Sequence, residues 1–157
     1  MKKTGVGDLA LPLLVIGALV YLLLHRYYGS MPQLSYFVPV PLFVLAVGEL
    51  VAARRVRAVV RHDPDAKPIP AIVVARLVAL GKASSLVGAG AVGASIALLA
   101  RVVPDAGTVS AAAHDTRVGL LLLAGSIVLV VAGLLLERSG VDPGSRDGAT
   151  PPAARAG

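Results

Sequence analysis

Charged side chains punctuate this chain at wide intervals, and the residues between them are overwhelmingly apolar. Four stretches contain no Asp, Glu, Lys or Arg: residues 9–25, 27–48, 83–100 and 118–136, of 17, 22, 18 and 19 residues. Crossing a hydrocarbon core about 30 Å thick takes roughly 20 helical residues. The pattern therefore predicts an all-α, polytopic membrane protein, with four transmembrane helices in a bundle over residues 9–27, 36–53, 81–103 and 118–136.

Turn residues place the boundaries. Lys2 and Lys3 precede the first apolar run in the manner of a secretory signal peptide, but a cleavable signal ends in small residues. This run passes instead into His25, Arg26, Tyr27 and Tyr28, so it is read as an uncleaved first span, with Pro12 in its first turn. Residues 29–35, Gly-Ser-Met-Pro-Gln-Leu-Ser, form a short connecting loop. Residues 54–70 are polar and basic and end in the proline- and aspartate-rich run His-Asp-Pro-Asp-Ala-Lys-Pro-Ile-Pro, a cytoplasmic linker. The third helical stretch, 71–103, is too long for one crossing, and its start is expected to lie among headgroups as an amphipathic extension. Residues 104–116 read as a loop. The membrane domain spans 1–138, and the Gly-, Pro-, Ala- and Arg-rich tail 139–157 is expected to be disordered.

Composition narrows the class. Of 157 residues, 56% are hydrophobic and 15% charged, against roughly 45–50% and about 25% in soluble domains. That excludes a soluble enzyme domain and leaves no room for a second globular one. Cysteine is absent, which removes disulfides, thiolate metal sites and cysteine nucleophiles. The net charge of +6 acquires meaning from its location. Lys2, Lys3, Arg54, Arg55, Arg57, Arg61, Lys67, Arg138, Arg146 and Arg155 fall on one side of the predicted spans, and Arg26, Arg101 and Arg117 on the other. Short cytoplasmic segments retain Lys and Arg. Both termini and the linker are thus expected in the cytoplasm of a multi-pass plasma-membrane protein. Tyr27, Tyr28, Tyr36 and Phe37 then mark the outer interface.

Several motifs suggest chemistry and fail on context. Gly88-Ala-Gly90-Ala-Val-Gly93 matches the G-x-G-x-x-G fingerprint of dinucleotide sites, but that fingerprint needs a preceding strand in a soluble βαβ unit. The run Gly81-Lys82-Ala-Ser-Ser85 lacks the earlier glycine of a phosphate loop, since that position is Arg76. Lys82 and Ser85 are a turn apart, yet no oxyanion donor or third group completes a hydrolytic set. His25, His62 and His114 have no ligand spacing. No catalytic residue, metal site or cofactor is expected, and no nucleic-acid partner.

The same residues read better as packing. Gly81, Ser85, Ala89, Gly93 and Ala97 recur every four positions, forming a groove that lets a neighbouring helix approach closely. The third span is accordingly expected at the centre of the bundle and the leucine-rich fourth to face lipid, Val130 included. Arg54, Arg55, Arg57 and Arg61 form a juxtamembrane cluster suited to anionic headgroups. Glu49 is the acid set inside an apolar run. An acid there marks either a function or a structural ion pair. Its expected partner is Lys82, which begins the third span at a similar depth, with Arg76 as the alternative.

The stretch from Arg76 to Ala89, preceded by Glu49 and the Ala-Ala-Arg-Arg55 end of the second span, resembles an actinobacterial family of small four-helix membrane proteins of unknown function. The resemblance runs from the first span to Glu137-Arg138. Members are often encoded beside folate-biosynthesis genes, and no functional residues transfer from them. Two functions compete on the residues: a non-enzymatic scaffold or accessory protein working through helix packing, homo-oligomers, membrane-protein partners or lipid contact, and a small oligomeric transporter with Glu49 as its coupling carboxylate.

Overall fold

The computed structural model describes residues 5–30, 32–61 and 69–140. The tail from 141 onwards and the linker core 62–68 lie outside the described residues, so the expected disorder and turn-rich linker are not addressed by it.

Four helices make up the fold: α1 (Val6–Tyr27), α2 (Val40–Val60), α3 (Ala71–Val102) and α4 (Ser110–Ser139). Asp8 starts α1 by accepting a hydrogen bond from the Gly5 N–H at 3.0 Å, which satisfies one donor of an open helix end. Pro12 lies in the second turn of α1, not the first. Its ring removes the N–H that would bond the Asp8 carbonyl and crowds that carbonyl, so the first turn is tied less firmly to the rest of the helix. Pro39 and Pro41 fix the start of α2, and Pro70 the start of α3. A 3-10 turn, Val103–Asp105, closes α3.

Three segments are long and apolar enough to cross a membrane: Gly7–Ser30, Ala71–Asp105 and Ser110–Ser139. The second expected span does not qualify as a helix of that kind. Residues 36–39 are a turn, and the helix begins at Val40 and runs on through Arg54, Arg55 and Arg57. Its apolar part, residues 40–53, is about 21 Å long at 1.5 Å per residue. The fourth helix also differs from expectation. It begins at Ser110 instead of Val118, because Ala111, Ala112 and Ala113 are strong helix formers and carry what was read as loop into the helix.

The helices do not close into a bundle. The α1 backbone approaches α3 and no other helix, α3 packs along α4, and α2 packs along α4 while barely meeting α3. The order across the molecule is α1, α3, α4, α2. Buried contacts give the directions: Leu24 meets Leu98 and Val102, so α1 runs parallel to α3. Ala46 meets Leu129 and Ala132, while Ala53 and Val56 meet Leu136, so α2 runs parallel to α4. Helices in lipid associate where small residues permit close approach, with no hydrophobic drive between them. The bulky outer faces of α1 and α2 give them no reason to meet.

Glycines set these contacts. A Cβ on Gly81 would stand 2.7 Å from the Gly133 carbonyl oxygen, and one on Gly133 2.6 Å from the Gly81 carbonyl oxygen. On the other flank of α3, a Cβ on Gly93 would run into the Leu13 carbonyl, and one on Gly17 would stand 3.1 Å from the Gly93 carbonyl oxygen. The small residues of α3 thus serve two partners: Gly81, Ser85 and Gly88 face α4, and Gly90 and Gly93 face α1. The fourth helix is consequently central, with Gly125, Ser126, Leu129, Ala132, Gly133 and Leu136 buried. Val130 packs on Gly88, contrary to the lipid-facing position expected of it. The helix that exposes most of its length is α1.

Candidate functional site

Polar side chains gather at the two ends of the helices. At the basic end Glu49 is 2% exposed, set on α2 between Ala46 and Ala53 where both pack on α4. The Ser84 hydroxyl of α3 faces it, but neither carboxylate oxygen has a partner at hydrogen-bonding geometry. Neither Lys82 nor Arg76, the expected partners, meets the carboxylate at hydrogen-bonding geometry. Ser84 is two residues from Lys82. Two residues turn a helix by about 200°, so a chain with Ser84 towards α2 carries Lys82 away from it. Lys82 is half-buried and not without a partner of its own, and Arg76 is exposed.

Of the expected groove, Gly81, Ser85, Ala89, Gly93 and Ala97 are all buried. Ser85 donates to the Lys82 carbonyl at 2.8 Å, keeping its hydroxyl satisfied within α3. Arg54, Arg55, Arg57 and Arg61 are all exposed along the last turns and C-cap of α2. Arg54 and Arg57 border a depression of about 160 Å³ floored by Leu50, Ala53 and Leu135.

The opposite end holds a network centred on Asp115, which is 3% exposed. The Tyr28 hydroxyl donates to Asp115 Oδ2 at 2.8 Å, and the Leu34 N–H donates to Oδ1 at 3.1 Å. His114 Nε2 lies 2.8 Å from the Leu34 carbonyl. A carbonyl only accepts, so Nε2 carries the proton. The Tyr36 ring meets the His114 ring edge-on with centroids 4.5 Å apart. Arg101 pairs with Asp105 at 2.8 Å and lays its guanidinium over the Tyr28 ring, 5.0 Å from the centroid, a favourable cation–π distance. Together these contacts clamp the α1–α2 connection onto the first turns of α4.

Beneath the clamp, α1, α3 and α4 line a half-open cavity of about 400 Å³. Its wall is formed chiefly by Val20, Leu24, Ala94, Leu98 and Leu122, with Tyr28 and Asp115 at the rim of the clamp. Sequence reasoning treated His114 and Asp115 as loop polar groups and so missed this site. The signal was the alanine run ahead of them, which places both on a helix facing the aromatic residues of the other connection.

No three of His, Asp and Glu gather closely enough to hold a metal ion among the described residues. No curated protein matches the chain, and no solved structure matches it. The family model described as Protein of unknown function (DUF3180) matches residues 9–143, taking in the Asp115 clamp, the Gly81–Gly133 crossing and Glu49. Across all four helices, this chain belongs to that family of proteins of unknown function.

Proposed function

We propose that the chain is an integral plasma-membrane protein with four crossings, both termini cytoplasmic, and a non-enzymatic scaffold or accessory role exercised through helix packing and lipid contact. The observation that carries the reading is the alignment of charge with level. The contacts of Gly17 with Gly93 and of Gly81 with Gly133, with those of Ala53 and Val56 against Leu136, put Asp8, Arg54, Lys82 and Glu137 near one level. They put Arg26, Arg101 and Arg117 near another. From Lys82 to Arg101 is about 28 Å of helix at 1.5 Å per residue, close to the thickness of a hydrocarbon core. The turn at residues 36–39 completes the crossing that the apolar part of α2 begins. Arg54, Arg55, Arg57 and Arg61 then meet the inner headgroups, with anionic lipid attracting each by about 1 kcal/mol.

A second reading, a small oligomeric transporter with Glu49 as its coupling carboxylate, is favoured by one fact: a carboxyl buried without a hydrogen-bond partner. Against it, Glu49 is buried where α2 packs on α4, flanked by Ala46 and Ala53 and faced by the Ser84 hydroxyl. Cross-linking in native membranes, followed by mass spectrometry, separates the two. The scaffold role predicts the same membrane-protein adducts from the parent chain and from Glu49→Gln. Absence of adducts, together with a gradient-driven flux in liposomes that Glu49→Gln abolishes, overturns it in favour of transport.

A further inference from the structure

We infer that the cavity under the Asp115 clamp is a binding site for one hydrocarbon chain of a membrane lipid. The inference rests on the membrane reading above, and the argument begins with what the wall lacks. The polar groups on it are already engaged: the Asp115 carboxylate accepts from the Tyr28 hydroxyl and the Leu34 N–H, and the Ser95 hydroxyl donates to the Ala91 carbonyl at 2.8 Å. Apart from these and the Tyr28 ring, the lining side chains are aliphatic. A buried water needs two to four polar partners, and apolar cavities without them stay dry. A void of about 400 Å³ is within the size of small-molecule sites, and leaving it empty forfeits the dispersion contacts of its lining. Hydrocarbon is the occupant that matches such a wall and that a bilayer supplies at the α1 flank.

Two features show that the space is held open. Ala91, Ala94 and Ser95 put small side chains on the α3 face that looks into it, where the glycines of the same helix are spent on α4 and α1. The α1 backbone nowhere approaches α4, so the two helices do not close over the gap. The clamp roofs it instead, holding Leu34 and Pro32 above the cavity through the paired Asp115.

The test uses the full chain in dioleoylphosphatidylcholine vesicles doped with a phosphatidylcholine that carries a diazirine near the end of one acyl chain. After photolysis, adducts are mapped by mass spectrometry. The proposal expects adducts on Val20, Ala94, Leu98 or Leu122 as well as on the exposed Val87 and Leu120. Ala94→Phe, or Ser95→Leu if the first variant does not fold, fills the space and loses the cavity adducts while keeping those on Val87 and Leu120. Adducts confined to Val87 and Leu120 in the parent chain, or cavity adducts that survive filling, overturn the site. Absence of adducts everywhere overturns the membrane reading and the site with it.

Discussion

Asp115 and Glu49 are both buried acids, and their surroundings give them opposite energetics. Asp115 accepts from two donors on the α1–α2 connection, and hydrogen bonds to a charged group contribute about 1.5–3 kcal/mol each. Tyr28→Phe removes one of them. Asp115→Ala removes both and strands the Leu34 N–H. The expected order of thermal stability in detergent is therefore parent, then Tyr28→Phe, then Asp115→Ala, and equal midpoints would refute the clamp. Glu49 has no hydrogen bond to lose. A buried polar group without a partner costs roughly 1–3 kcal/mol by mutational data, so Glu49→Met should melt at or above the parent. A member of a buried ion pair would instead lose about 3–5 kcal/mol on such a change, and that loss would restore the Lys82 pairing. The acid inside an apolar run was legible in the sequence. Which way it faces was not, because a two-residue offset between Ser84 and Lys82 decides the partner and spacing alone does not fix the rotation of one helix against another.

On α3, the row Gly81, Ser85, Ala89, Gly93 and Ala97 illustrates both the reach and the limit of periodicity. Its small residues are buried as the spacing implies. A single neighbour was inferred because residues four apart share a face, yet each step of four overshoots a full turn by about 40°. Four steps accumulate about 160°, and the row winds from the α4 side to the α1 side. Two seams result, and each can be tested separately. Gly133→Leu should disrupt the α3–α4 crossing and Gly93→Leu the α1–α3 crossing, since the added side chain meets backbone in both cases. Overpacking in a rigid interior typically costs 1–3 kcal/mol, and more where backbone must move, by the usual mutational range. Gly48→Leu should hold or raise the melting midpoint of the purified protein, because nothing lies within 4 Å of a Cβ there and leucine is the better helix former. Leucine is the better helix former at every one of these positions, so an unchanged or raised midpoint in Gly93→Leu or Gly133→Leu would refute the seam concerned.

For the molecule as a whole, the four charge-free stretches announced four apolar helices, and three meet the length and composition of a crossing. The fourth was harder to read because prolines at 39 and 41 delay the start of α2 while alanines and arginines beyond residue 53 prolong it. The order α1, α3, α4, α2 was not legible at all. It depends on which glycines oppose which, a property of pairs of helices that single-chain patterning does not contain. Whether α2 crosses decides the account, since with three crossings residue 61 would share a side with residue 30, and with four it lies on the opposite side from residue 30. The chain has no native cysteine, so single cysteines at Ser30, Arg61, Ser110 and Ser145 can be probed in intact cells with a membrane-impermeant maleimide. The four-crossing account predicts labelling at Ser30 and Ser110 from outside, and at Arg61 and Ser145 only after permeabilisation. Labelling of the Arg61 position from outside together with Ser30 would contradict it.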